Sequence, residues 1–117
     1  MYRPVSEHLA RALQLLGDRE QPDYRNSIKE SISAVESMAK IVTKNDGATL
    51  GDALRVLEKN DEIHPALRNG MSNLYGYTND ADGIRHAMLE QPNLTAADAK
   101  YFLISCTAFV NYLKSKV

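Results

Sequence analysis

The chain has 117 residues, 44% of them hydrophobic and 25% charged, which is the composition of one soluble globular domain. At this size roughly two thirds of the unfolded surface is buried on folding, so a core needs no disulfide or metal staple. With 14 Lys plus Arg against 15 Asp plus Glu, no net field draws the molecule to nucleic acid or anionic lipid, and no run has the apolar length of a membrane span.

Val5, Leu9, Ala12, Leu13 and Leu16 recur at helical spacing and predict an amphipathic helix over residues 4–16, ended near Gly17. Asp23 is placed to cap a second helix. Its stripe is Tyr24, Ile28, Ile32, Val35, Ala39 and Val42, and it runs to about Lys44. Beside the stripe lies a line of small residues, Ser27, Ser31 and Ala34. Small residues let a neighbouring backbone come close, either inside the monomer or across a subunit contact.

After the turn "KNDGAT", Thr49 with Asp52 three residues on has the form of a capping box, Asp replacing the usual Glu. Leu50, Ala53, Leu54 and Leu57 give a short third helix. Pro65 suits the first turn of a fourth, with Leu67, Met71 and Leu74 facing inward. "YGYTNDADG" reads as a loop, and Ile84–Leu89 as a short helical segment halted before Pro92. Thr95 with Asp98 repeats the capping pattern. Ala99, Leu103, Cys106, Val110 and Leu113 carry the last helix, and Phe102, Phe109 and Tyr112 widen its apolar face. No strand-like alternation and no internal repeat appear. The expectation is an all-α, up-and-down bundle of about five helices plus one short one, forming a single domain over residues 4–116.

The lone cysteine, Cys106, lies in an apolar run and reads as a small core residue, which fits a reducing, cytoplasmic setting. The N-terminus has no signal-peptide pattern. His8, His64 and His86 are scattered, with no second ligand one turn away, so neither a metal site nor a cofactor is expected. "TNDADG" fails as a calcium loop because its twelfth position is Leu89 and Glu90 falls one place late. That leaves Arg85 and His86, adjacent in "DGIRHAMLE". Successive helical residues point about 100° apart, so the pair does not converge on one atom without help from the loop or a partner chain. His86 has the chemistry of a general acid or base and Arg85 that of a phosphate holder. Asn26 and Glu30, one turn apart, are the supporting polar candidates.

Three runs carry a family resemblance: "PDYRNSIKESISAVESMAKIV", "ATLGDALRVLE" with "IHPALRNGMSNLYGYTNDADGIRHAM", and "DAKYFLISCTAFVNYL". In order and wording they resemble a HEPN-type domain of the sort found at the N-terminal side of AbiJ-like phage abortive-infection proteins, from about Pro4 to Lys114. The resemblance implies an all-α bundle that pairs into a homodimer. It also implies antiphage defence or a toxin–antitoxin setting, where many such domains are metal-independent endoribonucleases. Their site holds an Arg and a His separated by four to six residues, and two copies meet across a cleft. Here Arg85 and His86 have no spacer. The family spacing occurs only at Arg3 to His8, in the first helix, and "LRNG" at Leu67–Gly70 lacks a following His. Relatives of this type carry more sequence upstream, so the chain reads as an excised domain or a short stand-alone version.

Three readings follow. The leading one is a non-catalytic HEPN-like module acting by self-association or by binding a partner protein or fused effector domain. The second is a metal-independent ribonuclease with a rearranged Arg85–His86 site at a dimer cleft. The third is an RNA- or nucleotide-binding module without catalysis, using Arg55, Lys59, Arg68 and Arg85. The small-residue line of the second helix and the aromatic face of the last are the candidate contact surfaces.

Overall fold

The computed structural model describes residues 2–79 and 94–117. These form an all-α helical bundle: α1 (Arg3–Gly17), α2 (Tyr24–Thr43), α3 (Leu50–Lys59), α4 (Pro65–Asn79) and α5 (Ala96–Lys114). There is no strand among the described residues. The segment Ile84–Leu89, with Arg85 and His86, lies outside them.

The helix boundaries follow from local chemistry. Asp23 accepts from the Asn26 backbone N–H at 3.1 Å and from its side-chain amide at 2.7 Å, satisfying a donor that the first turn of α2 leaves open. Thr49 and Asp52 exchange hydrogen bonds at 3.2 and 2.9 Å, and Thr95 and Asp98 at 3.3 and 2.8 Å, so both capping boxes are complete. Lys44 ends α2 in the left-handed region (φ 56°), its N–H donating to the last-turn carbonyls of Ile41 and Lys40. At α4, Pro65 occupies the first position, and the preceding His64 accepts the Ala66 N–H on Nδ1 at 3.0 Å. The sequence offered no hint of that capping role.

One boundary differs from expectation. Residues 75–79 of "YGYTNDADG" belong to α4 and not to a loop. A single glycine costs a helix only about 0.5–1 kcal/mol relative to alanine, so Gly76 does not stop one whose backbone ladder is already formed.

α2 is the central element. It packs against α1, α3 and α5; α5 also touches α1, and α4 packs on α3. Ile28, Ile32, Val35 and Met38 of α2 are each no more than 1% exposed. Burying such a side chain contributes roughly 1.5–3 kcal/mol, which makes α2 the largest contributor to the core. Val5 and Ala12 of α1 meet it on one side. Ala99, Phe102, Cys106, Val110 and Leu113 of α5 complete the cluster, with Leu50, Ala53, Leu54 and Leu57 of α3.

The small residues of α2 do their work inside the monomer. Ser27, Ser31 and Ala34 are fully buried, and Ser27 Oγ donates across to the Ala12 carbonyl at 2.8 Å. A hydroxyl reaches a neighbouring helix's backbone only when the two backbones lie close. Ser31 Oγ is satisfied within the helix, donating to the Ser27 carbonyl at 3.1 Å. This line is therefore not a surface for a second subunit.

Two inward assignments are corrected. Leu13 is 60% exposed and Leu67 is 45% exposed. In α1 the packed line is Val5, Leu9, Ala12 and Leu16; Leu13 lies about 100° beyond Ala12 and clears the close α1–α2 seam. In α4, whose described packing partner is α3, Met71 and Leu74 face the core and Leu67 turns away.

Candidate functional site

The polar candidates of α2 face an open groove of about 420 Å³ between α1 and α2. Arg11 and Leu15 line it from α1. Asp23 lines it at the helix junction, with Asn26, Lys29, Glu30 and Ser33 from α2. The α2 spacing of 0, 3, 4 and 7 puts these four on one helical face.

Asn26 and Glu30 each have a partner in this arrangement. Asn26 is spent on Asp23, and this contact, first through the side-chain amide and then through the backbone N–H, holds the Asp23 carboxyl below its ordinary pKa. Burial opposes that shift, and the nearby Arg25 and Arg11 charges add to it. Glu30 Oε2 lies 2.6 Å from Nδ1 of His8, tying α1 to α2. Both side chains are about one-third exposed, at 35% for His8 and 30% for Glu30. A carboxylate facing Nδ1 favours the tautomer with hydrogen there, which leaves Nε2 as the uncommitted ring nitrogen.

His8 is the residue that sequence reasoning passed over. Its one legible signal is position: His8, Arg11 and Leu15 sit at 0, 3 and 7 on one face of α1. Its pairing with Glu30, 22 residues away, is a tertiary fact. Arg3, at the family spacing from His8, pairs with Glu7 on the solvent side at 2.9 Å. Arg3 and His8 therefore do not form a joint site.

The cations proposed for RNA or nucleotide are distributed differently. Arg55 is paired with Asp52 of its own helix, and Arg68 lies 3.3 Å from Glu58, an ion pair linking α4 to α3. By contrast, Arg11 and Lys29 make no hydrogen bond or ion pair among the described residues. Among those residues no cluster of His, Cys, Asp and Glu is suited to hold a metal. No helix among them is long and apolar enough to cross a membrane.

The second surface is α5. Its aromatic width serves the monomer: Phe102 is buried, and Phe109 and Tyr112 pack against the core. The exposed apolar residues lie on the opposite side, Ile104 at 70% and Tyr101 at 55%, with the exposed alanines Ala97 and Ala108 one turn beyond each end. The spacing 97, 101, 104, 108 is the 4-3-4 pattern of a narrow helix-packing seam. At the end of α5, Lys114 Nζ stands 4.5 Å from the centre of the Tyr2 ring, fastening the start of α1 to it.

Comparison with models of known families, with characterised proteins and with solved structures finds no match for this chain.

Proposed function

We propose that this chain is a HEPN-like helical module of a phage-defence or toxin–antitoxin protein that acts by association, with itself or with a partner protein, and not by catalysis. The carrying observation is α5. It is apolar on its core side and again on its outer side, where Tyr101 and Ile104 stand in solvent. A helix apolar on two faces wants a second partner, because each exposed aliphatic forgoes roughly 25 cal/mol for every Å² left in water. The wording of the three sequence runs supports the family part of the reading. The missing spacer between Arg85 and His86 supports the non-catalytic part.

Sedimentation at micromolar concentration tests it. The wild type is expected to self-associate, and Ile104→Glu to shift it to monomer while leaving the circular dichroism spectrum unchanged. A wild type that stays monomeric through that range, with the same sedimentation as Ile104→Glu, overturns the self-association reading.

His8 with Glu30 favours a second reading, a metal-independent ribonuclease, since a histidine held by a carboxylate is suited to general acid–base work. RNA incubated with the purified protein and a chelator distinguishes the readings. Cleavage lost in His8→Ala assigns the chemistry to the α1–α2 groove. Cleavage lost in His86→Ala assigns it to the "DGIRHAMLE" segment. Either result overturns the non-catalytic reading.

A further inference from the structure

We infer that the groove between α1 and α2 binds a phosphate group, with Arg11 and Lys29 as the donors. The four formal charges lining it, Arg11, Lys29, Asp23 and Glu30, cancel in number but not in availability. Both carboxylates already have partners. Asp23 accepts twice from Asn26, and Glu30 accepts from His8 at 2.6 Å. Neither cation makes a hydrogen bond or a close ion pair among the described residues, and Arg11 acts on Asp23 only as a nearby charge.

The groove stays balanced in formal charge, and what it offers a ligand is the uncommitted N–H donors of the two cations, not a net positive field. Arg11 presents a planar fork that matches two phosphate oxygens, and Lys29 is a mobile point charge on the opposite wall. The Ser33 hydroxyl, one turn along from Lys29, is a further donor on that wall. A carboxylate ligand offers only two oxygens to this set. A free phosphate or phosphomonoester presents three or more, and a nucleic-acid strand presents two on each of several successive phosphates, enough in either case for both walls at once. This site uses none of the residues of the α5 surface, and the inference stands whether or not α5 associates.

The same chemistry arrives in two forms, a free phosphate group or the phosphodiester backbone of a nucleic acid, and a titration separates them. Amide and imidazole NMR signals are followed while inorganic phosphate is added in one arm and a short oligothymidylate in the other, at fixed pH and ionic strength. Saturable shifts in residues 8–15 and 26–33 are expected in at least one arm. Saturation by inorganic phosphate means that the free group suffices. Saturation by the oligonucleotide alone, weakening with added salt as counterions are released, means that the backbone is read. Arg11→Gln and Lys29→Gln are each expected to weaken binding by about tenfold or more, the usual loss for a charged hydrogen-bond donor. Arg55→Gln, whose parent side chain is engaged by Asp52, is expected to leave binding unchanged. All three are exposed positions, and circular dichroism checks that each variant is folded. Two results overturn the inference: no saturable shift at the groove in either arm, or shifts that persist unchanged in Arg11→Gln and Lys29→Gln.

Discussion

Ser27 carries more structural meaning than its size suggests. Its hydroxyl bonds the Ala12 carbonyl across the α1–α2 seam. Replacing it with Ala removes one buried hydrogen bond and is expected to cost about 1 kcal/mol, while Ser27→Leu overpacks the seam and costs roughly 1–3 kcal/mol. Urea denaturation of the two variants should return that order. Cys106 gives a chemical prediction. Burial pushes its thiol up to about 12, so the thiolate is scarce at neutral pH. A thiol reagent is expected to leave Cys106 unmodified in the native protein and to react fully once urea unfolds it. Asp23 gives a pH prediction. Its folded-state pKa is depressed, so its stabilising contribution is complete above the ordinary carboxylate range and is lost as pH falls through the depressed value. Asp52, lowered chiefly by the Thr49 backbone N–H, titrates in the same sense. Stability should be level at neutral pH and fall in acid. Asn26→Leu should move the Asp23 titration, followed by carboxyl NMR, back toward its ordinary value.

At the scale of the element, the capping boxes and α2 dominate. Thr95 supplies the first-turn acceptor of α5, and Thr95→Ala is expected to cost about 1 kcal/mol, read as a lowered urea midpoint with an unchanged slope. Ile32→Ala removes a side chain at the centre of α2 and is expected to cost roughly 2–5 kcal/mol in the same experiment. The cap is local and the core position is shared by several helices, so the second loss should be the larger. α4 is the least anchored of the described helices, with α3 as its packing partner and one ion pair, Arg68 with Glu58, helping to hold it there. Amide exchange in α4 should accordingly be faster than in α2.

For the whole molecule, the decisive fact is which faces are already occupied. The small-residue line of α2, which as sequence alone served equally well for a subunit contact, is buried inside the monomer, with Ser27 bonded to α1. The aromatic residues of α5 are drawn onto the core, and Tyr101 with Ile104 is left outside. Self-association, if it runs through α5, should therefore be sensitive to Ile104→Glu and insensitive to a polar change at Leu13, which is exposed but isolated on α1.

The sequence by itself determined the five described helices and most of their ends. Thr49, Thr95, Asp23 and Pro65 act within a turn of where they sit, and the stripe of α2 is periodic over five turns, so local chemistry suffices. It also foretold the buried state of Cys106 from its apolar neighbours. Tertiary structure alone decided which side of each stripe faced a partner, because that depends on neighbours far away in the chain. Leu13 and Leu67 lie on apolar stripes and still face water. Met38 completes the buried line of α2 without having been singled out. Glu30, read as support for Arg85 and His86, which lie outside the described residues, holds His8. The joining of His8 and Glu30 needs two helices to lie side by side, and no short-range pattern encodes it. The groove beside this pairing, with Arg11 on one wall and Lys29 on the other, is a property of the packed pair α1–α2, because neither helix alone supplies both walls.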